Sequence, residues 1–262
     1  MEIIDAHAHI YPHKIAQKAT EVIGEFYDIK MQNPAGTTDN LLAQGEKAGI
    51  SKYVVHSCAT KPQQVRSINE FVKSELVKYD NFIGFMTLHQ DLTEGEIFEE
   101  VNWAVKNGFK GVKLHPDFQK FNIDDPAAYP IYEAAEGRMP ILFHAGDDRY
   151  DFSHPTRLLR IVERFPNLVV IAAHLGGYHC WDDASVYFGH PRVFIDTSSA
   201  LPFMESERAA SIIHAHGVDR VFFGTDSPMW NHVDEWARFN ALGLSKEERQ
   251  QILWDNAAKL LL

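Results

Sequence analysis

Eight times along this chain a short apolar run gives way to a stretch with helical spacing, and that alternation limits the fold more than any other feature. The apolar runs lie at about 2–9, 52–57, 82–88, 111–116, 140–144, 168–174, 192–196 and 220–226. Between them apolar residues recur every three or four positions. Val65, Ile68, Phe71, Val72, Leu76 and Val77 predict a helix over 63–79 in this way. Further helices are predicted over 12–26, 39–48, 96–107, 127–137, 156–165, 181–188, 205–215, 233–242 and 245–260. Ser245 and Glu248 form a capping box for the last of these. The runs are short and nearly continuous in apolar residues, as parallel strands covered on both faces require. Eight strand–helix units in 262 residues match a (β/α)8 TIM barrel. An open doubly wound sheet has a similar pattern, but no Gly-x-Gly-x-x-Gly follows the first run to suggest a dinucleotide site. No linker or low-complexity tract divides the chain, so residues 1–262 read as a single α/β domain.

Strand side chains alternate faces, so His7 and His9 point the same way from the end of the first strand. On spacing alone the pair reads equally as two polar residues closing a strand. The other strand ends add weight. His56 ends the second run, His89 the third, Lys113 and His115 the fourth, His144 the fifth, His174 the sixth, Asp196 the seventh and Asp226 the eighth. Half of the 14 histidines thus fall at the end of a barrel where active sites form. Taken singly, His56 and His89 read as hydrogen-bonded structural histidines. The set His7, His9, His144, His174 and Asp226 predicts a metal site, because imidazole and carboxylate suit zinc and similar ions.

Asp5-Ala6-His7-Ala8-His9, Lys113-Leu114-His115-Pro116, Phe143-His144-Ala145-Gly146, Ala173-His174-Leu175-Gly176-Gly177, Gly224-Thr225-Asp226-Ser227-Pro228 and Asn256-Ala257-Ala258-Lys259-Leu260 together resemble the amidohydrolase superfamily. The closer likeness is to its amidohydrolase-related branch of metal-dependent hydrolases and non-oxidative decarboxylases. The resemblance implies that His7 and His9 bind metal from strand one, His144 from strand five and Asp226 from strand eight. It sets His174 beside the water at the metal, or on a second ion. Many binuclear members carry a carboxylated lysine on strand four, where Lys113 lies. Because Lys113 precedes the strand's end, one divalent ion is expected over two, zinc first and manganese as the alternative. Deoxyribonuclease-like barrels also open with a His-x-His strand, but no acidic residue stands here at the strand-four position where they supply a bridging ligand.

Hydrolysis of a small amide, lactone or ester by a metal-activated water is the leading expectation, with Asp226 moving the proton and His174 orienting the water or stabilising a tetrahedral intermediate. The alternative is decarboxylation of an aromatic or unsaturated acid, with Asp226 or His174 delivering a proton to carbon. A metal-free binding barrel is the third reading. Lys113, His115 and Arg149 are expected to bind substrate. Arg149 or Arg157 would take a carboxylate bidentately, so a small carboxylated molecule is expected. Phe118, Phe121, Trp181 and Trp230 stand on mouth loops where aromatic side chains enclose a ring. A net charge of −11, from 36 acids against 25 bases, argues against nucleic-acid and membrane partners. No apolar run approaches the roughly 18 residues of a membrane span. No basic region followed by an apolar stretch opens the chain, so a cytoplasmic location is expected. Cys58 and Cys180 read as small buried hydrophobes. The resemblance is compatible with a homodimer, and the stretch before Asp39 is a candidate lid.

Overall fold

The computed structural model describes residues 2–33 and 35–262. Eight parallel strands form one sheet in chain order. They are β1 (Ile4–His9), β2 (Lys52–His56), β3 (Phe82–Thr87), β4 (Gly111–Leu114), β5 (Ile141–Phe143), β6 (Val170–Ala172), β7 (Val193–Asp196) and β8 (Val221–Phe222). The first helices are α1 (His13–Tyr27), α2 (Thr38–Ala48), α3 (Val65–Lys78), α4 (Glu94–Lys106), α5 (Pro116–Gln119) and α6 (Tyr129–Ala135). The rest are α7 (Pro155–Arg164), α8 (Ser206–His216), α9 (His232–Asn240), α10 (Lys246–Gln250) and α11 (Asn256–Leu261). Among the described residues no helix is long and apolar enough to cross a membrane.

The ring closes through β1 and the chain at and beyond β8. Ala6 N–H donates to Phe223 O (2.8 Å), Asp226 N–H to His7 O (2.8 Å) and His9 N–H to Ser227 O (2.7 Å). The result is a TIM barrel. Ile4, Val54, Phe85, Leu142, Ile171 and Phe222 form one buried cluster within the strands, with Leu261 of α11 packed on it. A larger buried cluster lies between strands and helices. With the interior filled by branched and aromatic side chains, the polar groups are left to the carboxyl ends of the strands.

Several boundaries differ from the sequence expectation. The eighth strand stops at Phe222 instead of reaching Asp226. Gly224 N–H bonds the hydroxyl of Thr197 (3.0 Å) in place of a neighbouring strand, and Asp226 takes a left-handed φ of 57°. Gly224 also lets β8 approach β1, since a Cβ there would stand 3.0 Å from that of His7. The helix expected over 181–188 is a 3-10 turn at Asp183–Tyr187. The helix expected over 245–260 is broken by a π turn at Gln251–Asp255, although the Ser245–Glu248 capping box is present. That wider turn leaves the Ile252 carbonyl free to accept from Phe223 N–H (3.1 Å), which ties the last helix to the barrel. Pro116 ends a strand as expected and also begins α5, whose N-cap is the His115 side chain.

One buried carboxylate braces the closure. Asp5 Oδ1 accepts from the backbone N–H groups of Thr225 (3.0 Å) and His7 (3.2 Å). Its Oδ2 accepts from the Thr225 hydroxyl (2.7 Å) and from His232 Nε2 (3.0 Å). Removing this acceptor leaves four buried donors without a partner. Asp5→Ala is expected to cost about 3 kcal/mol of stability, read as a lower urea midpoint at unchanged slope.

Candidate metal centre

Most of the strand-end residues singled out in the sequence line one cavity at the barrel mouth. His7, His9, Lys113, His115, His144, His174 and Asp226 all border it. Its volume is about 20 Å3, room for roughly one water. The remaining walls are largely apolar or aromatic, among them Ile23, Tyr27, Phe118, Tyr178 and Met229.

His7, His9 and Asp226 meet directly. Asp226 Oδ1 lies 3.4 Å from His7 Nε2 and 3.2 Å from His9 Nε2. The ladder of β1 on β2 slips between Asp5 and Ala8, yet both imidazoles reach the cavity, with ring centroids 5.4 Å apart. Behind His7, its Nδ1 donates to Asp196 Oδ2 (2.9 Å), which leaves Nε2 with the lone pair and aimed forward. Asp226 Oδ2 accepts from the Ser199 hydroxyl (2.5 Å), and Trp230 Nε1 donates to that same hydroxyl (2.8 Å). His144 joins from β5 through His174, whose Nε2 is 2.9 Å from His144 Nδ1. His174 Nδ1 donates to the Ser198 carbonyl (2.9 Å), so its Nε2 is the acceptor.

The electrostatics suit a cation. Burial drives His9 and His174 down to about 4 and holds His56, His115 and His144 well below their ordinary range, so these imidazoles are neutral at pH 7. Burial disfavours charge on Asp226, but the crowding imidazoles of His7, His9 and His174 hold its carboxyl well below the usual carboxylate range. Lys113 Nζ rests 3.1 Å from His7 Nε2, so a cationic group already faces that lone pair. Burial lowers the Lys113 ammonium as well. The neutral imidazoles of His9 and His144 and the ionised carboxylate of Asp226, bordering one cavity with His7, are a donor set that fits zinc or manganese.

Other sequence expectations find different positions. Arg149 does not border the cavity. Its Nε and Nη2 donate to Asp147 (2.9 and 2.7 Å) and its Nη1 to the Phe26 carbonyl (2.6 Å), so its fork is committed to holding the end of α1. Arg157 is likewise paired, with Asp124 and Asp151. Trp181 turns its Nε1 to the His174 carbonyl (2.9 Å), and Phe121 joins the core. Of the four mouth-loop aromatics only Phe118 reaches the cavity, where its ring stacks on His115 with centroids 3.8 Å apart. His56 is buried, but neither ring nitrogen has a hydrogen-bond partner, unlike the structural histidine expected there. Its ring lies 4.9 Å from that of His7 and 4.4 Å from that of His9. His89 does fit that description, its Nδ1 accepting from Asp91 N–H (3.2 Å). Cys58 is only partly buried, while Cys180 is buried.

The structure also adds residues the sequence reading passed over. Tyr27, at the end of α1, places its hydroxyl 2.8 Å from His115 Nε2 and 3.5 Å from both His144 ring nitrogens. Nothing local in the sequence marks that tyrosine. Asp117 is buried, accepts from the Ser153 hydroxyl (2.6 Å) and stands 3.7 Å from His144 Nε2. Burial pushes its carboxyl up to about 7. With His115 and His144 it offers a second group of ligand atoms within 4.8 Å of one another, as do His7, His9 and His56. Its place two residues after His115 was a readable signal.

Two outcomes follow from this geometry. Asp196→Ala, which leaves His7 Nδ1 only the Ser198 hydroxyl at 3.0 Å, is expected to weaken divalent-cation binding about 10- to 100-fold in a chelator competition. In the metal-free protein, unfolded imidazoles take protons near 6.5, whereas His9 and His174 take them only near 4. The unfolded state therefore binds more protons across that window, and Tm should fall as pH drops from 6.5 toward 4.

Known structures share this architecture. A 2,6-dihydroxybenzoate decarboxylase from Rhizobium superposes with a TM-score of 0.77 at 19% identity, covering 100% of this chain and 98% of that one. A dihydroxybenzoic acid decarboxylase from Polaromonas, solved with manganese and 2-nitroresorcinol, gives 0.77 at 17%, covering 99% and 96%. A Pseudomonas putida protein proposed to be a 2-pyrone-4,6-dicarboxylic acid hydrolase gives 0.70 at 18%, covering 99% and 97%. At these identities the likeness is one of fold. The sequence profile of the family described as amidohydrolase, whose members are metal-dependent, matches residues 4–262, and this chain belongs to that family.

Proposed function

We propose that the chain is a metal-dependent hydrolase of a small, carboxylated amide, ester or lactone, with one divalent cation, zinc or manganese, held by His7, His9, His144 and Asp226. The observation that carries this reading is a cavity with room for about one water, bordered by both Asp226 and His174. A bound cation would supply Lewis acidity, polarising the scissile carbonyl and lowering the pKa of water toward about 7.

The chain's own groups account for the rest. Asp226 is ionised at neutral pH, so it can accept the water's proton and pass it to the leaving group. His174, fixed by the Ser198 carbonyl, borders the same cavity, and its Nε2 accepts from His144 Nδ1–H, which leaves His144 Nε2 as the nitrogen that would take the cation. Lys113, whose Nζ is buried in the same wall, would face negative charge on the substrate. The hydroxyl of Tyr27, held by His115, adds a polar contact to an otherwise apolar roof. Arg149 has no part in this scheme, because its donors are already taken.

Decarboxylation of an aromatic or unsaturated acid is the second reading, favoured by the walls. Phe118, Tyr27 and Tyr178 surround the cavity, and no arginine borders it among the described residues. As CO2 departs, the carboxylate's electron pair passes to the adjoining carbon and its charge disperses into the conjugated system, so an apolar enclosure assists that step, and the carbon then takes a proton by way of Asp226 or His174. The two decarboxylases of the same fold support it.

One panel separates the two readings. Zinc- or manganese-loaded protein is offered lactones, amides and hydroxybenzoates while acid production and CO2 release are followed together. Acid release without CO2 is expected, and Asp226→Asn should reduce it about 10²- to 10⁴-fold. CO2 from a hydroxybenzoate with no acid release would replace hydrolysis by decarboxylation. Elemental analysis showing no bound metal, with no gain on adding zinc or manganese, would return the barrel to a binding role.

A further inference from the structure

A second, larger hollow adjoins the metal cavity. It measures about 440 Å3 and shares His9, Ile23 and Phe118 with the smaller one. One wall is α1, where Ile15, Ala19, Val22 and Ile23 recur at the spacing of a single helical stripe. The buried residues of α1, Ala16, Thr20 and Gly24, lie on a different stripe and pack inward. The facing wall is formed by Ile68 and Phe71 of α3, with Cys58 on the loop after β2. Ile15 and Val22 are 48% and 52% exposed, although each carries a branched aliphatic side chain. The helix therefore keeps an apolar stripe turned toward a space that leads to the reacting centre.

From this we infer that the hollow is a tail subsite: the substrate is amphiphilic, with its carbonyl head at the metal centre and a linear alkyl or aryl tail lying between α1 and α3. The inference rests on the metal-centre reading and names the substrate class for it. Two observations favour a small-molecule tail over a protein partner. The volume of 440 Å3 falls in the range of small-molecule pockets, about 300–1,000 Å3. The hollow is also continuous with the metal cavity through three shared side chains, a connection that a docked helix would not use.

The test uses a homologous series of alkyl hydroxamates, from acetyl to octanoyl, whose heads chelate a divalent cation. They are titrated calorimetrically into the zinc-loaded full chain. Affinity should rise about fourfold per added methylene, the equivalent of ~0.8 kcal/mol per buried CH2. Ile68→Trp, which fills the hollow, should flatten that dependence. Val22→Trp, at a half-exposed position of the α1 wall, should do the same. If acetohydroxamate binds wild-type protein and longer chains bind no better, the tail subsite is wrong while the metal centre stands. If no hydroxamate binds, both fall. A concentration-dependent dimer in sedimentation that Val22→Glu disperses would assign the hollow to a second copy of the chain and overturn the inference.

Discussion

The site depends on how the barrel closes. β1 and the chain beyond β8 are more than two hundred residues apart in sequence, yet Asp226 N–H donates to His7 O and His9 N–H to Ser227 O. These backbone bonds set the carboxylate of Asp226 within 3.2–3.4 Å of two imidazoles. Asp5 fastens the same seam from beneath by accepting four donors, among them His7 N–H and both donors of Thr225. Gly224 permits the close approach, since any side chain there would press on His7. Closure of the fold thus also brings His7, His9 and Asp226 together at the mouth.

Burial then decides the protonation states. A histidine in water is a mixture of charged and neutral forms near neutral pH, and only the neutral form offers a lone pair. Here desolvation keeps His9, His144 and His174 neutral, while Asp226 in their midst stays ionised. Tautomers are set from behind, by Asp196 for His7 and by the Ser198 carbonyl for His174. His56 stands apart because both of its ring nitrogens lack partners beside this cluster. The aromatic roof preserves the low polarity on which these states rely. It includes Tyr27, and Arg149 secures the neighbouring Phe26 carbonyl rather than meeting a ligand.

The helix α1 is therefore central to the surroundings of the site. Its last turn supplies Tyr27 to the mouth cavity, and its outer stripe walls the adjoining hollow. The stretch before Asp39 is a candidate cover from the sequence; of it, residue 34 lies outside the described residues, while Tyr27, Met31, Gln32 and Asn33 lie at the mouth. Met31 borders the cavity, and Gln32 and Asn33 bond backbone carbonyls of the loop after β8. A single segment thus shapes both the enclosure of the centre and the route beside it.

The amino-acid sequence alone determined the barrel and the strand end of nearly every polar residue in the cavity. Periods of two and near 3.6 are local properties, and a polar residue after an apolar run marks a strand's exit from the core. Placement at successive strand ends therefore singled out His7, His9, His144, His174 and Asp226 as a candidate set, and all five border one cavity. Tertiary structure decided what those residues meet. Arg149 looked available because a sequence does not show that Asp147 and the Phe26 carbonyl occupy its donors. Tyr27 was invisible because its role depends on where α1 crosses the mouth, and Lys113 acquires its meaning from lying 3.1 Å from His7. Such pairings arise when distant segments share one closed ring, and their energies come from burial and neighbouring charge, which no run of adjacent residues contains.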